Sequence, residues 1–155
     1  MKAVILAAGR GIKLGDVGKN ISKCLIEVGG KTILERQIEV LKSCGIPKHD
    51  IIVVIGDKGD AWSEENKERV KKIHDNLIIN TENVSKNQSY SFWLALQTID
   101  DSVICVDGDT LFDGIIVKEL IKNKNKSILP FRKARENDPR RKILVVGNRV
   151  VKIAK

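Results

Sequence analysis

Apolar residues along the chain alternate between short unbroken runs and longer stripes with helical spacing. Residues 3–7 form an unbroken run that ends in a glycine loop, which predicts a central strand. Residues 24–28 are a second short run, closed by Gly29-Gly30. Thr32 then opens a helix, because Glu35 three residues on completes a capping box. Leu34, Ile38 and Leu41 give that helix one apolar stripe, and Gly45 and Pro47 end it. Residues 51–55 are rich in β-branched side chains and predict another buried strand. Ser63 caps a polar helix through about His74, with Glu64 and Glu65 early and Lys71 and Lys72 late, matching the helix dipole. Residues 77–79 read as a short strand and 80–88 as a polar loop. Ser89 or Ser91 starts a helix whose buried face is Phe92, Ala95, Leu96 and Ile99. Residues 103–106 are a strand that ends at Asp107-Gly108-Asp109. Asp113 caps a helix through about Asn123, and residues 128–131 read as a further strand. Gly147-Asn148 lies between two apolar runs, a two-residue hairpin signal.

Strand, helix, strand, helix predicts an α/β fold: a largely parallel sheet flanked by helices on both faces, with a C-terminal antiparallel hairpin. In open sheets of this kind, ligands bind beyond the carboxyl ends of the strands. Two loops at that edge carry chemistry. They are residues 8–23 after the first strand and residues 107–109 after the strand at 103–106.

Composition narrows the choice. A chain of 155 residues favours one domain and can bury roughly 70% of its unfolded surface. At 42% hydrophobic residues, disorder is excluded. No apolar run approaches the roughly 20 residues of a membrane helix, and the short run after Lys2 is a poor secretory signal. Cys24, Cys44 and Cys105 form no CxxC pair, and with His49 and His74 the only histidines no zinc cluster assembles from local spacing. A reduced, cytoplasmic protein follows. The net charge of +8 suggests an anionic partner, although lysines scattered over helix surfaces give the same sum. Aromatics at 4% and the lack of an RNA-binding pattern argue against nucleic acid.

In the first loop, small residues Ala7, Ala8, Gly9 and Gly11 let backbone approach a ligand closely, and successive amides there can cradle phosphate. Arg10, Lys13, Lys19 and Lys23 add cations over a short span. A tight turn with solvated bases has the same spacing. Counting excludes two familiar motifs. The dinucleotide fingerprint needs glycine where Leu14 stands, and the P-loop suggested by Gly30-Lys31-Thr32 needs one at Leu25. Asp107 and Asp109 flank Gly108 at a strand end, which suits Mg²⁺ beside phosphate oxygens; a helix cap or Asx turn is the plainer reading. Together the basic loop and the acidic loop fit a metal–triphosphate, because cations and amides serve the phosphates and carboxylate serves the ion.

The run Leu6-Ala7-Ala8-Gly9-Arg10-Gly11 with Lys13-Leu14, followed by Lys23-Cys24-Leu25 and Gly29-Gly30-Lys31, resembles the nucleotidyltransferase family that activates sugar 1-phosphates and phosphocholine. Val106-Asp107-Gly108-Asp109 resembles that family's aspartate-bearing strand end. The resemblance runs from Lys2 to about Leu111, with an echo at residues 149–153. It implies a Rossmann-like fold of the nucleotide-diphospho-sugar transferase type. It also implies Mg²⁺-dependent transfer of a nucleoside monophosphate from an NTP to a small phosphate-bearing acceptor, releasing pyrophosphate.

Carried over by position, Leu6, Ala7, Ala8, Gly9, Arg10 and Gly11 bind nucleotide, Lys13 and Lys23 are catalytic cations on the phosphates, and Asp109 holds Mg²⁺ with Asp107 beside it. Asn87-Gln88-Ser89-Tyr90-Ser91-Phe92 resembles the phosphocholine cytidylyltransferase branch, implying CTP, phosphocholine and a choline contact on Tyr90 or Trp93. A sugar 1-phosphate uridylyl-, thymidylyl- or guanylyltransferase keeps the reaction and changes the pair. A nucleotide-binding regulatory module keeps the loop without turnover. Lys13 stands where the family has Arg, and Ser22 where it has Pro. Family members commonly continue further, so the expectation is a single domain over 1–155 shortened at its C-terminal side, with an open sheet edge that favours a homodimer.

Overall fold

The computed structural model describes residues 1–10, 20–124, 126–131 and 143–153. Its centre is a four-stranded parallel sheet. The strands are β1 (Lys2–Leu6), β4 (Ile51–Gly56), β5 (Leu77–Asn80) and β6 (Val103–Asp107), in the order β5-β4-β1-β6. β1 and β4 are buried throughout apart from Lys2, the first residue of β1, as continuous apolar runs with both faces covered must be. Side chains alternate between the faces. Ala3, Ile5, Ile51, Val53 and Ile55 point to one, where they pack with Leu34, Ile38 and Leu41 of α1 (Ile33–Ser43), Val70 of α2 (Glu64–Ile73) and Val117 of α4 (Gly114–Lys122). Val4, Leu6, Ile52 and Val54 point to the other, covered by Ala95 and Phe92 of α3 (Gln88–Leu96).

Three helix starts follow the sequence reading. Thr32 and Glu35 form the capping box of α1, Ser63 caps α2, and Asp113 caps α4. The Glu35 carboxyl is held below its ordinary range, first by the Thr32 main-chain N–H and then by the Thr32 hydroxyl. Other expectations need correction. The run at 24–28 adds nothing to the main sheet. It is a 3-10 turn (Lys23–Leu25) followed by β2 (Glu27–Val28), which pairs antiparallel with β3 (Lys31–Thr32) across Gly29 and Gly30, both at positive φ. α3 starts at Gln88 under an Asn87 cap rather than at either serine, and Leu96 is exposed, because the inward line of that helix runs through Ser91 and Ala95. Residues 128–131 are not a strand; among the described residues they pair with nothing, and they are exposed. Trp62, although set among polar residues, is 3% exposed. The hairpin at Gly147 is present as β7 (Ile143–Val146) and β8 (Arg149–Ile153), with its apolar residues largely exposed. Among the described residues, no helix is long and apolar enough to cross a membrane.

The strand order positions the site. From β1 the chain moves outward on one side through β4 and β5, then returns to the other side of β1 as β6. Loops leaving β1 and β6 therefore diverge, and a crevice opens between their carboxyl ends.

Candidate active site

A cavity of about 460 Å³ lies at that crevice. One wall is the end of β1 and its loop, Leu6, Ala7, Ala8, Gly9 and Arg10. The facing wall is Asp107, Gly108 and Asp109, with Lys23 beside it. Asn80, Asn83, Lys86, Gln88 and Ser91 close the side toward β5 and α3. The two strand tips touch. The Gly108 N–H donates to the Leu6 carbonyl at 2.9 Å, and a Cβ at position 108 would stand 2.9 Å from Cα and Cβ of Ala7 and from the Leu6 carbonyl oxygen. Only glycine allows that approach.

The acidic wall is held from both faces of the sheet. Gln37 of α1 is 1% exposed, and its Nε2 donates to the carbonyls of Asp107 (2.8 Å) and Thr110 (2.6 Å), spanning the turn that carries both carboxylates. Gln88, the first residue of α3, donates from Nε2 to Oδ1 of Asp107. Lys23 reaches Asp109 with Nζ 2.8 Å from Oδ2. The glycine wall is held through its carbonyls. Trp62 donates from Nε1 to the Gly9 carbonyl at 3.1 Å, and Asn83 from Nδ2 to that of Ala8 at 3.4 Å. Asn83 Oδ1 also accepts from the N–H groups of Asp57 and Lys58, tying this wall to the loop after β4. Among the described residues, the N–H groups of Ala8, Gly9 and Arg10 bond to no carbonyl or side chain. Successive unbonded amides in a concave turn attract an anion.

The structure thus brings Leu6 through Arg10, Lys23, Asp107 and Asp109 to one cavity. It does not bring Tyr90 or Trp93 there. Their rings stack on each other at 5.3 Å, Trp93 is half exposed, and neither lines the cavity, because α3 turns Gln88 and Ser91 toward it instead. Gly11 and Lys13 lie outside the described residues. Gln37, Gln88, Asn83 and Trp62 escaped the sequence reading. Gln37 carried a signal, since it is a polar residue inside the apolar stripe of Leu34, Ile38 and Leu41.

As to chemistry, Cys24 lines the cavity but burial pushes its thiol up to about 11, so it is no nucleophile at neutral pH. Among the described residues no group of three or more His, Cys, Asp or Glu side chains gathers. Asp107 and Asp109 are two hard oxygen donors at the rim of an anion-attracting turn, a set that fits Mg²⁺ completed by phosphate oxygens and water.

Residues 3–149 match the MobA-like NTP transferase domain. The chain belongs to that family. Choline-phosphate cytidylyltransferase of Streptococcus pneumoniae is 31% identical over 129 residues, covering 83% of this chain and 53% of the relative. A solved structure of the CTP:phosphocholine cytidylyltransferase of that organism superposes with a TM-score of 0.59 over 74% of this chain and 49% of the other. CTP:phosphoglutamine cytidylyltransferase of Campylobacter jejuni is 32% identical over 133 residues, 81% of this chain and 50% of the relative. A putative glucose-1-phosphate thymidylyltransferase of Bacillus anthracis is 18% identical and shares the fold, with a TM-score of 0.74 over all of this chain and 64% of the other. The chain spans about half the length of the cytidylyltransferases it matches.

Proposed function

We propose that this nucleotidyltransferase-family domain transfers a cytidylyl group from CTP to a small phosphate ester, phosphocholine or a close analogue, with release of pyrophosphate. The observation that carries the reading is the Lys23–Asp109 contact at the mouth of a cavity whose other wall is the amide turn of residues 7–10. Cytidylyl transfer is favoured over other nucleotides because the two relatives above that are more than 30% identical in sequence are both cytidylyltransferases, for phosphocholine in one and phosphoglutamine in the other. Between these two the nucleotide is the common element and the acceptor the variable one.

The reaction asks for little covalent chemistry from the protein. An oxygen of the acceptor phosphate forms a bond to the α-phosphorus of CTP, and the bond from that phosphorus to the bridging oxygen of the β-phosphate breaks. The acceptor oxygen is already an anion, so no general base is required. The barrier lies in bringing anions together, and electrostatic positioning carries most of the rate. In this reading the amides of Ala8, Gly9 and Arg10 hold phosphate oxygens. Lys23 offsets negative charge at the α-phosphate as the acceptor approaches, and Lys13 does the same further along the triphosphate. Asp109 and Asp107 hold Mg²⁺. When bound, the ion draws charge from the phosphate oxygens it touches. Tyr90 and Trp93 have no part in this reading, since neither lines the cavity.

Incubation of the protein with each of CTP, UTP, ATP, GTP and dTTP, Mg²⁺ and a panel of phosphate esters, reading pyrophosphate, tests the reading. Release with CTP and phosphocholine above all other pairs is expected. Release only with a sugar 1-phosphate and another nucleotide overturns the substrate assignment. Measurable nucleotide binding without release from any pair overturns catalysis and leaves a nucleotide-binding module.

A further inference from the structure

Lys23 and Asp109 are 86 positions apart in sequence, and each is set on a firmly held backbone. Lys23 opens a 3-10 turn whose next two residues, Cys24 and Leu25, are each 1% exposed. Asp109 sits in the turn that Gln37 spans and Gly108 ties to β1. The side chains themselves are 30% and 44% exposed. An ion pair with that much water around it adds little to stability, so stability does not account for the contact.

We infer that this pair makes the site selective for the metal–polyphosphate chelate over either component alone, an inference that rests on the function proposed above. With no ligand bound, the cation and the carboxylate neutralise each other. A free divalent cation that approaches Asp109 has to displace the Lys23 ammonium, which then remains beside it as a like charge. A metal-free polyphosphate that approaches Lys23 meets the negative charge of Asp109 in the same place. The chelate carries both replacements. Its phosphate oxygens take Lys23, its ion takes Asp109, and neither group is left unpaired near a like charge. Metal and polyphosphate therefore help each other to bind at this site, and the help is reciprocal. The pair is a specificity element, and it keeps the two catalytic charges from being captured separately.

The test reads binding rather than turnover, using the full chain, Mn²⁺ as the metal probe and CTP as the polyphosphate. Lys23→Met is expected to tighten nucleotide-free Mn²⁺ binding about fivefold, the factor that corresponds to loss of one exposed ion pair. Asp109→Asn is expected to tighten CTP binding in EDTA by a similar factor, although it removes a metal ligand. Lys86→Met takes a different cation from the same cavity and separates general charge from the specific pair; it is expected to change Mn²⁺ affinity by less than about twofold. Circular dichroism melts confirm that each variant is folded, as the exposure of all three side chains leads one to expect. If Mn²⁺–CTP binds the wild-type chain but Lys23→Met leaves free Mn²⁺ affinity unchanged or weaker, or Lys86→Met matches it, the exchange is overturned and the proposed function stands. If Mn²⁺–CTP does not bind the wild-type chain at all, both fall together.

Discussion

At the acidic wall of the cavity the holding group comes from inside the core. Gln37 stands on a helix, almost without exposure, and grips two carbonyls of the Asp107–Thr110 turn. At the glycine wall the holding groups come from outside the regular elements. Trp62 lies in a 3-10 turn after β4 and Asn83 in the loop after β5, and each takes one carbonyl of the loop that follows β1. The difference matches what each wall presents. In the function proposed here the carboxylates coordinate an ion with defined directions, which suits a backbone fixed at both ends by one rigid donor. A main-chain anion cradle offers N–H groups, and bonding only its carbonyls leaves those N–H groups to a ligand. Gly108 is where the walls meet, and it has no slack.

Gly108→Ala attacks the join and carries the largest expected effect. The new methyl would press on main-chain atoms of Leu6 and Ala7 that no side-chain rotation can relieve. A loss of about 2–3 kcal/mol in chemical denaturation is expected, together with loss of nearly all nucleotide affinity as the walls separate. Stability within about 0.5 kcal/mol of wild type, the usual range for a neutral surface change, would show that the tips are not in contact. Gln37→Leu weakens the acidic wall alone. Two part-buried hydrogen bonds are lost, which costs about 1–2 kcal/mol. The Mg²⁺ concentration for half-maximal turnover should rise severalfold with little change in metal-free CTP affinity; equal weakening of both would mean that Gln37 supports the fold without aiming the acids. Trp62→Phe removes one bond from the glycine wall and trims the indole to a single ring. About 2–3 kcal/mol of stability is at stake, from the lost bond and the space left in the core, and the KM for CTP should rise by a small factor with the metal midpoint unmoved. A shifted midpoint would mean that the walls are not held independently.

How much of this was legible depended on whether the deciding interaction was local. Thr32 and Glu35 act on each other three residues apart, and the α1 start was readable from them. The strand tips at Leu6 and Asp107 were readable because apolar runs end there, and the basic and acidic loops fell at one sheet edge as expected. The place of Trp62 was not legible because its neighbours are Gly59, Asp60, Ser63 and Glu64, a surface-like set, whereas its partner is a carbonyl 53 positions earlier. Tyr90 and Trp93 were placed toward a ligand by resemblance, yet the helix phase set by buried Ser91 and Ala95 turns them away. The run at 128–131 has strand composition, but a strand needs a neighbour, and pairing is not written in local sequence. Gln37 was open to notice, as one amide in an apolar stripe, though its targets at Asp107 and Thr110 were not.

The pairing of Lys2 with Val103 has a consequence for how the molecule comes into being. β1 occupies an inner position of the sheet, and its second neighbour, β6, is synthesised about a hundred residues after it. Contacts that span so much chain form slowly. During translation the crevice has one side only, so a nucleotide cannot assist folding until the acidic turn has emerged. Early intermediates must keep the exposed flank of the first strand from pairing with a neighbouring chain.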